Sequence, residues 1–134
     1  MDVTQIMDAV RDLPMGAKKV LAYKVIGEID RIEKLEGVIQ RWDTVLFLAI
    51  RVTGYDYHPG SRDAQSVLCR TIAAWRLMEE GYTVSDIARA MGKDHSTVSY
   101  YARQRKDALA LPMAYREHLT MYGKLALALN DGND

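Results

Sequence analysis

The sequence predicts an all-α fold, a helical bundle, and three observations predict it. Pro14, Pro59 and Pro112, its three prolines, stand between periodic segments rather than inside them. Apolar residues recur every third or fourth place through most of the 134 residues. The alternation of a half-buried strand is nowhere sustained. With 49% apolar residues the chain is long enough to bury a real core.

The first long element is predicted from Lys18 onward. Ala22, Val25, Ile29, Ile32, Leu35, Ile39, Trp42, Leu46 and Ala49 form the stripe of an amphipathic helix, and Gly27 and Gly37 mark places where it can kink or split. Val52 to Gly60 (VTGYDYHPG) is dense in turn formers and predicts a loop. Helical spacing returns over 64–80 with Val67, Leu68, Ile72, Trp75 and Met78 or Glu79. Gly81 suits the left-handed residue past a helix end, and Thr83 with Asp86 makes a capping-box pattern. The helix this opens is short, runs from Thr83 to Met91, and turns Val84, Ile87, Ala88 and Met91 inward. Gly92 closes it, and Asp94 offers an N-cap oxygen to a helix from Ser96 to about Leu109.

Two short helices around a glycine turn are the outline of a helix-turn-helix, whose second helix presents its N-terminal residues to the DNA major groove. On a helical wheel Val98, Ala102, Arg105 and Leu109 fall on the inward side, with Tyr101 beside them. Ser96, Tyr100, Arg103 and Asp107 fall on the opposite side. Hydroxyls followed by an arginine there supply what groove readout and phosphate contact require, although a solvated face can carry the same residues.

Composition narrows the function. The longest apolar run, Val45 to Ile50, is far short of the roughly 20 residues that span a bilayer, and the N-terminus lacks a signal-peptide pattern. One cysteine, Cys69, forms no internal disulfide, and no metal-ligand spacing occurs, so the expectation is a soluble cytoplasmic protein without metal or cofactor. His58, His95 and His118 lie far apart, Cys69 sits beside apolar positions where a packed thiol is expected, and no phosphate loop is present. Gly16-Ala17-Lys18 and Gly92-Lys93 do not fit one. Interleaved charges in EIDRIEKLE are those of a solvated helix face. An enzyme is therefore not expected. The balance of 18 basic and 18 acidic residues argues against a non-specific polyanion binder. Only the stretch 62–107, with 8 basic and 6 acidic residues, is net positive.

Lys93, Asp94, His95, Ser96, Thr97 and Val98 (KDHSTV), with the preceding TVSDIARAMG, resemble the C-terminal DNA-binding domain of the DnaA family of bacterial replication initiators. That family's domain is a Trp-repressor-like helix-turn-helix with an Asp-His-Thr-Thr-Val run after a glycine turn. The likeness reaches back through CRTIAAWRLMEEG and GYDYHPGSR towards Trp42, and forward to about Leu109. It implies that His95, Ser96 and Thr97 approach bases in the major groove. It further implies that Arg70 contacts the phosphate backbone and that Arg62 belongs to a loop reaching into the minor groove. Lys93, Asp94, Tyr100 and Arg103 complete the candidate DNA-binding surface, with Asp94 open both to capping and to a cytosine amino group. Asp63 and Gln65 follow Arg62 where the family is rich in Lys and Arg, the glycine turn is one residue shorter, and Ser96 replaces a Thr. Those departures predict weaker minor-groove anchoring and an altered site. The ATPase module of the initiators has no counterpart in these residues.

The sequence thus divides into an N-terminal helical extension (1–41), a DnaA-like helix-turn-helix domain (42–111) and a C-terminal helix (112–134). In the last, Tyr115, Leu119, Tyr122, Ala126 and Leu129 form a heptad-like seam, read as packing on the chain's own bundle ahead of a homodimer partner. The terminal LNDGND is expected to fray. The expected function is sequence-specific binding of double-stranded DNA by a replication or transcription regulator of phage or mobile-element type. The alternative is a helical module that binds a replication protein instead.

Overall fold

The computed structural model describes residues 3–11 and 14–131. Among them are six helices and no strand: α1 (Val3–Val10), α2 (Met15–Thr53), α3 (Ala64–Glu79), α4 (Val84–Met91), α5 (His95–Ala110) and α6 (Arg116–Asp131). The all-α fold is as the sequence predicts. The chain divides into two compact units, residues 1–34 and 35–134.

The first unit holds α1 and the beginning of α2. Val20, Tyr23, Ile26, Ile29 and Ile32 of α2 are all exposed there. Neither Gly27 nor Gly37 splits the helix, which is continuous through both. Internal hydrogen bonding outweighs the cost of roughly 1 kcal/mol that a glycine adds to a helix interior.

In the second unit α3 is the central element. Leu68, Ile72, Ala73, Ala74, Trp75 and Leu77 are all buried, which is the pattern of a helix covered on every side. The α4, α5 and α6 helices each pack against it. From α2, Val38, Trp42, Val45 and Ala49 join the same core. Val38 and Val45 thus displace Ile39 and Leu46, which stay half-buried. The Trp75 indole N–H donates to the Tyr101 carbonyl at 2.8 Å. Its ring stacks on His118 at 5.7 Å and meets the edge of Tyr122 at 6.2 Å. Leu125 and Leu129 of α6 are buried in this core, and Leu119 and Tyr122 lie against it. The α6 helix continues through Asp131, so Leu129 to Asp131 are helical, while the rest of the expected frayed terminus lies outside the described residues.

Ionic contacts bridge the helices of this unit. The Arg41 Nε donates to Glu80 Oε1 at 2.7 Å and the Arg76 Nε to Glu80 Oε2 at 2.8 Å. The Arg41 hydrogen bonds hold the Glu80 carboxyl below its ordinary value against the opposing effect of burial.

On α5 the inward side is rotated from the expected one. Val98, Tyr101 and Ala108 are buried, whereas Leu109 is 74% exposed. Tyr101 rather than Ala102 occupies the inward position, and Ala108 follows it by two helical turns, which carries Leu109 out to solvent.

Candidate nucleic-acid interface

The local chemistry of α4 and α5 positions the site. Thr83 accepts from the Asp86 N–H at 3.1 Å, and the Asp86 carboxylate accepts from the Thr83 N–H at 3.3 Å. This closes the predicted capping box and fixes where α4 starts. At its other end Gly92 has φ +68°, a left-handed conformation that an L side chain adopts only at a cost. Its N–H and that of Lys93 bond back to Arg89 and Ala88, which satisfies the last carbonyls of α4 and turns the chain directly into α5.

Asp94 stands at the N-cap of α5, as expected, with extended backbone, yet its side chain makes no capping hydrogen bond. The Thr97 N–H is satisfied by the Asp94 carbonyl instead, at 3.1 Å. The Asp94 carboxylate is therefore left to face solvent beside Lys93 and His95, both exposed. Ser96, Tyr100, Arg103 and Asp107 are exposed along the outer side of α5, the set that the helical wheel places there. The Arg103 guanidinium lies over the Tyr100 ring at 5.9 Å, and His95 Nδ1 is 3.2 Å from the Ser99 hydroxyl. Thr97 is half-buried, so only part of it is open to a partner. Six of the nine candidates, from Lys93 to Thr97 together with Tyr100, thus fall on the turn and the first two turns of one helix, and Arg103 follows one turn on.

The two remaining candidates differ from these. Arg62 is exposed in the loop before α3. Arg70, given by the resemblance as a phosphate contact, is only 6% exposed. One of its nitrogens donates to the Ser61 carbonyl and the other to the Tyr57 hydroxyl at 3.4 Å, with the guanidinium over the Tyr57 ring at 5.7 Å. The reason is position: Arg70 lies on the α3 face that the 54–63 loop covers, so its donors organise that loop and are not presented to a ligand. Other contacts secure the same loop. The Ser66 hydroxyl accepts from the His58 N–H at 2.9 Å, and Asp63 caps α3 by accepting from the Ser66 N–H at 3.0 Å. Hydrogen bonds from Ser61 and Ser66 pull the Asp63 carboxyl down to about 2. The Tyr55 hydroxyl donates to Glu117, which pushes its own ionisation up to about 12. Cys69 is buried with its Sγ 3.5 Å from the Thr53 hydroxyl.

Sequence reasoning missed Ser85 and Arg89. With Lys93, Asp94 and His95 they line an open hollow of about 400 Å³ between α4 and the start of α5. The signal was present, because Val84, Ile87, Ala88 and Met91 turn inward and leave Ser85 and Arg89, four residues apart, on the outer face. Arg89 adds a third exposed cation to a surface that already holds Lys93 and Arg103.

Residues 70–119 match the family described as "Putative ATPase subunit of terminase (gpP-like)". The matched segment runs from the middle of α3 through α4 and α5 into the start of α6, so the chain is similar to that family across the whole helix-turn-helix. No curated protein and no solved structure matches the chain. Among the described residues no helix is long and apolar enough to cross a membrane, and no group of three or more His, Cys, Asp or Glu could hold a metal ion.

Proposed function

We propose that this chain binds double-stranded DNA sequence-specifically, with α5 as the recognition helix of a helix-turn-helix and α4 as its support. The observation that carries the reading is the outer face of α5: His95, Ser96, Tyr100 and Arg103 are exposed together, next to an N-cap carboxylate that spends nothing on capping. Hydroxyl, imidazole and carboxylate groups at a helix start match the donors and acceptors of base edges, and Arg89, Lys93 and Arg103 supply phosphate contacts around them. Kinship with the DnaA C-terminal domain is part of the proposal. The match to a terminase subunit family supports a protein that works on DNA of phage or mobile-element type. Binding, not catalysis, is the activity proposed.

Selection of bound sequences from random duplex DNA at low and moderate salt tests this. An enriched motif is expected, and its enrichment should vanish when His95, Ser96 and Thr97 are replaced together by Ala.

A second reading has an observation of its own. Leu109, Leu111 and Met113 are exposed at the turn between α5 and α6, as suits a helical module that docks on a replication protein. Selection without an enriched motif would favour that reading.

A further inference from the structure

We infer that the stretch Ala22 to Ile32 of α2 is a self-association surface that pairs antiparallel with the same stretch of a second copy of this chain. Ala22, Val25, Ile29 and Ile32 follow spacings of 3, 4 and 3, the 3.5-residue repeat of a left-handed coiled-coil seam. Yet Ile29 and Ile32 are 45% and 55% exposed, and Ile26 beside them is 54% exposed. Ala22, Ile29 and Ile32 of that repeat, left open to water on an uninterrupted helix beside a half-buried Val25, lack a partner.

Charge chooses the partner and its direction. Lys18, Lys19 and Lys24 precede Ile26, with no acidic residue between Met15 and Gly27, while Glu28, Asp30, Glu33 and Glu36 follow it, interleaved with Arg31 and Lys34. A helix basic at one end and net acidic at the other is complementary to its own reverse. With Ala22 and Ile29 taken as one seam position and Val25 and Ile32 as the other, antiparallel pairing sets Ala22 against the partner's Ile32 and Val25 against the partner's Ile29, each twice. On one flank Lys19 then meets the partner's Glu33, also twice, and Ile26 meets the partner's Ile26 at the two-fold axis. On the other flank Glu28 faces its own copy, with Arg31 already paired to it. Parallel pairing would set Glu28 against the partner's Glu33 in two places and would lose both lysine contacts. Four layers make a short seam, so the association is reversible and depends on concentration.

Sedimentation equilibrium of the full chain over a wide concentration range tests the inference. A monomer–dimer equilibrium is expected, and Ile29→Asp with Ile32→Asp should leave only monomer while circular dichroism remains helical. Lys19→Glu should weaken the dimer several-fold, and the charge swap Lys19→Glu with Glu33→Lys should restore it. Under mild oxidation Ile26→Cys should give a covalent dimer, which the unsubstituted chain, with Cys69 buried, does not. Antiparallel pairing brings position 26 to its own copy, whereas parallel pairing keeps the two apart. A chain that is monomeric throughout, a dimer that survives the double aspartate variant, or a charge swap that fails to restore association would each overturn the inference. None of these readouts involves DNA, so failure here is distinct from failure of the DNA-binding reading.

Discussion

Arg70 and Arg103 carry the same charge in opposite surroundings, and the difference decides what each can do. Arg70 spends its donors on Ser61 and Tyr57 inside the fold, and Arg103 holds its guanidinium over Tyr100 in solvent. Replacing Arg103 with Ala should therefore weaken DNA binding on every sequence and reduce the salt dependence by about one unit of slope. Arg70→Ala should lower the melting temperature and leave that slope alone. Titration of both variants against one duplex at several salt concentrations checks the pair, and an unchanged slope for Arg103→Ala would move the phosphate contact elsewhere. Thr97 poses a finer question because it is half-buried. Its replacement by Ala should cost about 1 to 3 kcal/mol on the preferred site and little on scrambled DNA, since one base contact is lost. A fall in melting temperature with unchanged site preference would assign the hydroxyl to the helix start instead.

At the scale of the element, the two caps of the helix-turn-helix look alike in sequence and act differently in space. Thr83 completes a reciprocal box with Asp86, so Thr83→Ala should lower stability by about 1 kcal/mol. Asp94 makes no cap hydrogen bond, so Asp94→Ala should stay within about 0.5 kcal/mol of the parent while altering site preference. Chemical denaturation of both variants beside a binding assay separates the roles, and equal destabilisation would return Asp94 to capping. The helix boundaries were legible because capping residues and left-handed glycines act within one turn of the chain: Thr83, Gly81 and Gly92 each sit where their spacing predicts. What was not legible depends on neighbours distant in sequence. The rotation of α5 that buries Ala108 and exposes Leu109 is set by Tyr101 meeting Trp75, and the burial of Arg70 is set by the loop folded over it. A wheel drawn on one helix carries no record of either. Arg89 was missed for the reverse reason, since its outward position was readable but its closeness to Lys93 and His95 arises only from the turn at Gly92.

For the molecule as a whole, balanced charge confines electrostatic attraction to a local surface, and the half-buried ring of His118 ties the stability of the core to pH. His118 lies on Trp75 and meets the edge of the Tyr115 ring at 5.4 Å. Burial pushes its ionisation below the ordinary 6.5, and the negative charge of Glu117 opposes this only in part. Because the folded state binds this proton less readily than the unfolded state, His118 favours folding fully above 6.5 and progressively less as pH falls through and below it. The melting temperature should consequently drop between about pH 7.5 and pH 5. His118→Phe keeps a ring against Trp75 and removes the proton, so its melting temperature should fall less over the same interval. His58, exposed and 3.2 Å from Asp56, is common to both proteins and cancels in the comparison. Parallel melting curves for the two proteins would remove His118 from this role and leave the acid sensitivity to groups outside the Trp75 stack.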